Sequence, residues 1–352
     1  MASTPKRVKY MHYDKFPTTR YQGSKRKLLP WLHENFQTLE FESALDLFGG
    51  TGAVAYLFKT LGKDVIFNDV MPCNLQVGKA ILTNRNTTLS QEEVANIFVR
   101  LPDIDYPTFI QDTFQDIFYT NTENELLDIA VTNINRESDL DKRAALWWVL
   151  FQACLCKRPY NLFHRANLYV RTANVKRSFG NKTTWDRSFE DHCEKFRKQY
   201  NKAQFDSGKE MSYFCEKAAE VDAEAELVYL DPPYIPERGS LTRYEDFYHF
   251  LNGMVTYDSW SECINHDTKH KALEIEKNPW ESKAENLAQF ETILTRHRDS
   301  ILVINYRADG SPSIEALETL LLDLGKDVQI ATIPQQYVFS KKATHETLLI
   351  GS

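Results

Sequence analysis

The sequence predicts an α/β chain in which a doubly wound sheet is interrupted by a basic, mainly helical insertion. Three observations lead there. A short apolar run, residues 44–48, stops at Gly49-Gly-Thr-Gly52, continues as a helix-like stretch, and returns as a second apolar run closed by Asp69. Strand, glycine turn, helix, strand, acid is how such a sheet begins. A later apolar run, residues 227–230, enters Asp231-Pro-Pro-Tyr234 directly, and Lys and Arg crowd the region between the two halves. At 352 residues the chain has room for one large domain or two moderate ones.

Taken in order, residues 53–61 read as a helix stopped by Gly62, and 65–67 as a buried strand. From about 75 to 160 the pattern is helical. Ser90-Gln-Glu-Glu93 is a helix start with an acid placed to cap it. Residues 141–154 are apolar round most of the circumference, which predicts a core helix. Residues 157–190, rich in Arg, Asn, aromatics and β-formers, predict a hairpin or long ordered loops. A polar, aromatic stretch follows Tyr234 to about 280. Then come a helix over 285–298, a strand over 301–305, a helix over 313–324 and closing strands at 328–333 and 347–350.

The net charge of −7 argues weakly against a nucleic-acid partner, but charge is unevenly spread. Residues 1–30 hold eight Lys/Arg against Asp14 alone, and residues 157–200 hold eleven against four acids. Screening confines a field to about 10 Å at moderate salt, so local density matters more than the sum. Two such islands fit either a DNA groove or solvated faces. The six cysteines form no CxxC pair, and no His/Cys/Asp cluster points to a metal, so reduced and mostly buried thiols are expected. No apolar stretch is long enough for a bilayer, and the start lacks the apolar core of a signal peptide, which predicts a cytoplasmic protein.

Chemistry concentrates in two motifs. In Phe48-Gly-Gly-Thr-Gly52 glycines at a strand-to-helix turn let backbone approach a ligand, but the third spaced glycine of the NAD fingerprint is missing. Asp69, after the next strand, is placed either to accept ribose hydroxyls or to cap the following helix. In Asp231-Pro-Pro-Tyr234 two prolines remove two donors and fix the chain, so the aspartate and a carbonyl face one point. Two acceptors suit an amino group that donates two hydrogens, and Tyr234 offers a face on which an extruded base can stack.

Together these motifs resemble the Dam-type family of DNA adenine-N6 methyltransferases in the alpha motif order. Tyr21-Gln-Gly-Ser-Lys25 resembles its N-terminal motif, which places Tyr21, Gly23 and Lys25 at the cofactor, the lysine at its methionine part. Asp46-Leu-Phe-Gly-Gly-Thr-Gly52 resembles the glycine-rich cofactor loop, with Asp46, Phe48, Gly49, Gly50, Thr51 and Gly52 as contacts and Asp69 as the acid after the second strand. Asp231, Pro232, Pro233 and Tyr234 match the catalytic tetrapeptide, and Ile304-Asn-Tyr-Arg-Ala-Asp-Gly310 a later strand-and-turn motif. Where the family carries an acid and an aromatic near the cofactor adenine, this chain has Phe214-Cys-Glu216, so either Cys215 or Glu216 fills that place.

The resemblance implies a Rossmann-like class I methyltransferase sheet, mostly parallel with one antiparallel strand, and a mainly helical plus hairpin target-recognition insertion. The expected parts are 1–74 and 211–352 for the catalytic domain and 75–210 for the insertion. It implies S-adenosylmethionine as cofactor and a flipped adenine in double-stranded DNA as target, with Tyr160, Asn161, Arg165, Arg171, Arg177, Asn181 and Lys182 as DNA contacts. Arg and Lys among them should mostly meet phosphates, while Asn161, Asn181 and one or two arginines read base edges. The segment 235–280 either closes over the target or packs on the sheet. Asp231 would position the amine for direct transfer, with no metal. Base-amine methylation of ribosomal RNA or of cytosine-N4 uses related tetrapeptides. An inactive DNA-binding subunit of the same fold is the reading from another class. A monomer is expected, with any cognate nuclease or defence-system protein on a separate chain.

Overall fold

A computed structural model describes residues 12–175, 182–236, 243–274, 276–335 and 344–352. Its strands are β1 (Ser43–Asp46), β2 (Asp64–Asn68), β3 (Met211–Phe214), β4 (Leu227–Leu230), β5 (Ile235–Pro236), β6 (Ile301–Arg307), β7 (Gly310–Ser311), β8 (Val328–Gln335) and β9 (Thr344–Gly351). Seven of them form one sheet in the order β3-β2-β1-β4-β6-β9-β8, and β5 and β7 pair separately as a short ribbon. The pairings from β3 to β6 are parallel, and β9 runs against both of its neighbours. This is the expected Rossmann-like sheet with its single antiparallel strand. Among the described residues no helix is long and apolar enough to cross a membrane.

Alternation along the strands divides the core in two. Ala44, Val65, Tyr229, Val303 and Leu348 face one buried cluster, together with the helices Leu29–Phe36, Ala53–Thr60 and Pro72–Leu82. Leu45, Val228, Leu230, Leu302, Ile304 and Leu349 face the other, covered by Asn286–Arg296 and Ile314–Asp323. The order of strands reverses between β1 and β4, so a crevice opens above their carboxyl ends.

The first cluster runs without a break into the helical insertion. Its centre is the helix Leu140–Cys156, buried from Ala144 onward. The capping box predicted at Ser90 forms: Glu93 N–H donates to Ser90 Oγ at 3.0 Å and Ser90 N–H to Glu93 Oε2 at 2.6 Å. The helix Pro72–Leu82 straddles the expected boundary at 74/75, whereas β3 starts at Met211. Of residues 244–263, Tyr244, Glu245 and Asn252 line the crevice and most of the rest pack away from it. They join the insertion, where Phe250 stacks on Phe163 at 5.0 Å and Trp260 meets Phe114 at 4.9 Å.

Two local expectations need correction. Between 157 and 190 the described residues form turns and short helices, Leu168–Thr172 and Lys182–Asp186, with no strand among them. The cause is Arg158, buried with its guanidinium donating to the carbonyls of Phe118, Leu162 and Arg165 and to Asn167 Oδ1. A chain wrapped round one cation cannot also extend into a ladder. The edge strand β3 was not expected. It is short and only half-buried, so it lacks both the apolar run and the alternation that mark a strand.

Candidate active site

The glycine loop stands where the periodicity placed it. Gly50 and Gly52 hold positive φ, 49° and 71°, a conformation glycine adopts without strain. Gly49 is needed for space, since a Cβ there would collide with the Phe67 ring. Asp69 braces this loop: its Oδ2 accepts the N–H of Gly50 at 2.9 Å and its Oδ1 that of Met71 at 2.9 Å. The carboxylate lines the cavity and holds the turn that leads into the helix Pro72–Leu82, but it does not cap that helix, whose N-cap residue is Met71 and has no side-chain cap bond. Asp46 is buried, and its Oδ2 accepts the Ala55 N–H at 3.1 Å. Burial, then the neighbouring Asp231, pushes Asp46 up to about 8.

Above the loop lies a cavity of about 540 Å³. Tyr21, Gly23, Lys25, Asp46, Phe48, Gly49, Gly50, Thr51, Asp69 and Glu216 line it, as do all four residues of Asp231-Pro-Pro-Tyr234. Gly52 does not; it turns the chain into the helix Ala53–Thr60. Of the pair Cys215 and Glu216, only Glu216 reaches the cavity. Asn68 pins it there, accepting its N–H at 3.1 Å and donating to its carbonyl at 3.1 Å, while the Cys215 thiol points to the Val70 carbonyl. Cys215 is thus removed from the cofactor set.

Lys25 Nζ is 2.7 Å from Asp231 Oδ1 and 3.8 Å from Glu346 Oε1. Burial alone would discharge the lysine, but Asp231 and then Glu346 outweigh it and keep the ammonium charged beyond its ordinary range. Burial raises Asp231, Lys25 pulls it back, and the carboxyl comes to rest at about 6. A carboxylate poised there is ionised at neutral pH and still close enough to take up a proton.

Other groups join the site that were not among the expected site residues. Tyr244 and Tyr248, one helical turn apart on Tyr244–Val255, stack on Tyr21 at 5.8 and 4.1 Å. Gly23 must be glycine beneath them, because its φ is 81° and a Cβ there would collide with Tyr244 Oη. Trp280 meets Phe48 edge-on at 5.1 Å and closes another side. Arg307 lies over the Tyr234 ring, 4.5 Å from its centroid, and is held by Asp309 through two bonds of 2.8 and 2.6 Å. Aromatic spacing of four at 244 and 248 was the available signal; for Glu346 there was none.

The tetrapeptide Asp231-Pro-Pro-Tyr234, the glycine loop and the charged Lys25 thus share one cavity. Residues 21–298 match the family described as D12 class N6 adenine-specific DNA methyltransferase. The chain belongs to that family. It is similar to the type II methyltransferase M2.HphI of Haemophilus parahaemolyticus, 26% identical over 340 residues, 94% of this chain and 95% of the relative. It is also similar to the type II methyltransferase M.NlaIII of Neisseria lactamica, 22% identical over 322 residues, 87% of this chain and 88% of the relative.

For a D12 methyltransferase the other surface of interest is the one that meets DNA. The loop after Arg158 presents Tyr160, half exposed, and Asn161, both with positive φ (63° and 59°), and Arg165 is exposed beside them. Lys182 is exposed and paired with Asp186 at 3.0 Å. Arg171 is not available. It is buried and gives its guanidinium to Glu123 at 2.7 Å, next to Lys157, also buried, at 2.9 Å from the same oxygen. Its place among the DNA contacts is withdrawn. Arg177 and Asn181 lie outside the described residues. The two basic stretches touch at Thr18, whose N–H and hydroxyl donate to Gln199 Oε1 at 2.9 and 2.6 Å. The loop is tied to the cofactor side by the helix Tyr244–Val255: Phe163 N–H donates to the Phe247 carbonyl at 2.9 Å, and His249 Nε2 contacts the Phe163 carbonyl at 3.2 Å.

Proposed function

We propose that this D12 methyltransferase uses S-adenosylmethionine to methylate N6 of an adenine turned out of duplex DNA, as the modification partner of a separately encoded nuclease. The observation that carries the reading is that Asp231 and the glycine loop open on one cavity, with Lys25 between them. The residues present fit the cofactor: Gly49, Gly50 and Asp69 would hold its adenosine part, Glu216 and Trp280 would flank it, and Tyr21 and Lys25 would hold its methionine part. S-adenosylmethionine supplies an electrophilic methyl group on a sulfonium.

The chain's own work is positioning. Asp231 and the Pro232 carbonyl accept the two hydrogens of the amine, which draws its lone pair out of the ring and aims it at the methyl. Pro232 and Pro233 fix that carbonyl. Tyr234, backed by Arg307, stacks against the base. The neutral amine needs no prior deprotonation, and the Asp231 carboxylate is placed to receive the proton shed afterwards. Tyr160, Asn161, Arg165 and Lys182 form the DNA-facing set, acting from a monomer. The type II names of the two relatives support the restriction–modification role.

Expression in cells lacking adenine methylation, followed by single-molecule sequencing, tests this reading. Modified adenines in one sequence context are expected. Methylated cytosine, or no DNA modification by a folded protein that binds S-adenosylmethionine, would overturn it.

A further inference from the structure

β9 runs against its neighbours, so its first residues, not its last, reach the rim where β1, β4 and β6 end. Glu346 stands there, two residues before Leu348 and on the same sheet face, opposite Arg307 of β6 and Ile333 of β8. It is 2% exposed. An ionised carboxylate at such depth is costly unless a cation meets it, and Lys25 does, at 3.8 Å. Tyr229, whose hydroxyl has no hydrogen-bond partner among the described residues, lies within the field of Asp231, Asp46 and Glu346 together. Asn305, also fully buried at the end of β6, has neither amide atom bonded among the described residues. The lysine therefore has two carboxylate partners, one close and one farther.

That arrangement meets a difficulty in the function proposed above, on which this inference rests. Asp231 cannot give its full acceptor strength to an incoming amine while Lys25 stays locked on it at 2.7 Å. We propose that Glu346 is a positioning residue that shares Lys25 with Asp231 and takes the larger part of the ammonium when Asp231 turns to the adenine amine. The lysine moves between two carboxylates and never becomes a buried unpaired charge.

The test is a double-mutant cycle on single-turnover methylation of a duplex oligonucleotide at saturating S-adenosylmethionine, with cofactor affinity measured separately by calorimetry. Glu346→Gln is expected to slow transfer about 30-fold while leaving the cofactor Kd within about threefold. In a Lys25→Met background the same change should cost at most about threefold more, because the two residues act through one contact. A Glu346→Gln rate within twofold of wild type, or losses that multiply in the double variant, overturns the proposal. Glu346→Asp keeps the charge and withdraws it by one methylene. It serves the same cycle should the glutamine variant not fold, and additive losses there are equally decisive. A wild-type protein that labels no adenine would instead overturn the function reading, whatever the variants do.

Discussion

Oδ2 of Asp69 accepts the backbone N–H of Gly50 at 2.9 Å, so the acid that follows β2 and the glycine turn that follows β1 are one unit. Removing the carboxylate frees two backbone donors together, Gly50 N–H in the loop and Met71 N–H in the turn that leads into the helix Pro72–Leu82. Asp69→Ala should weaken S-adenosylmethionine binding about 30-fold, roughly 2 kcal/mol, with a smaller loss in rate at saturating cofactor. Calorimetric titration checks this, and an unchanged Kd would show that the loop holds its shape without Asp69.

Transfer should follow the ionisation of Asp231. Protonated, it offers the amine a donor where an acceptor is needed. With the carboxyl raised to about 6 by burial and drawn back by Lys25, the single-turnover rate should rise about tenfold per pH unit up to about pH 6 and then level off. Asp231→Asn should lose at least about 10³ in rate together with that acidic limb. A limb that persists in the asparagine variant assigns the titration elsewhere.

Glu123 should matter for stability and not for chemistry. Burial would raise its carboxyl, but Arg171 and then Lys157 outweigh burial and bring it down from 4.5 to about 2. A group depressed in the folded state stabilises fully above its unfolded value, and that share is lost as pH falls through about 2. Glu123→Gln should cost about 3 kcal/mol at neutral pH, with wild type and variant converging below about pH 2. Urea unfolding across that range measures it.

Arg165 and Arg171 should part company. Arg165→Ala should weaken duplex binding and lower the salt dependence of log K by about one, without lowering Tm. Arg171→Ala should instead lower Tm by taking one of two cations from the buried Glu123 and one of two donors from the Phe118 carbonyl. Fluorescence anisotropy at several salt concentrations and a thermal melt separate the two.

What the sequence disclosed, it disclosed through local pattern. The glycine loop and Asp231-Pro-Pro-Tyr234 each announce themselves within a few residues, because a ligand approached by backbone needs glycine or proline at fixed places. Lys25, by contrast, was legible only through the family resemblance of its motif. Arg171 misled because burial is invisible in composition: an arginine in a basic run reads as solvent-facing until Glu123, far away in the chain, is seen beneath it. Cys215 and Glu216 could not be told apart because their order in the cavity depends on Asn68 in a different strand. Glu346 stayed hidden for the same reason, its partner being brought to it only by sheet topology.

The reversed course of β9 also bears on trimming. A truncation just before Thr344 would look like the removal of a short tail, yet it would take out a strand flanked on both sides and open the sheet between β6 and β8. It would also leave the ammonium of Lys25 short of a counter-charge. Variants that lack residues 344–352 should therefore fail in folding and in turnover at once.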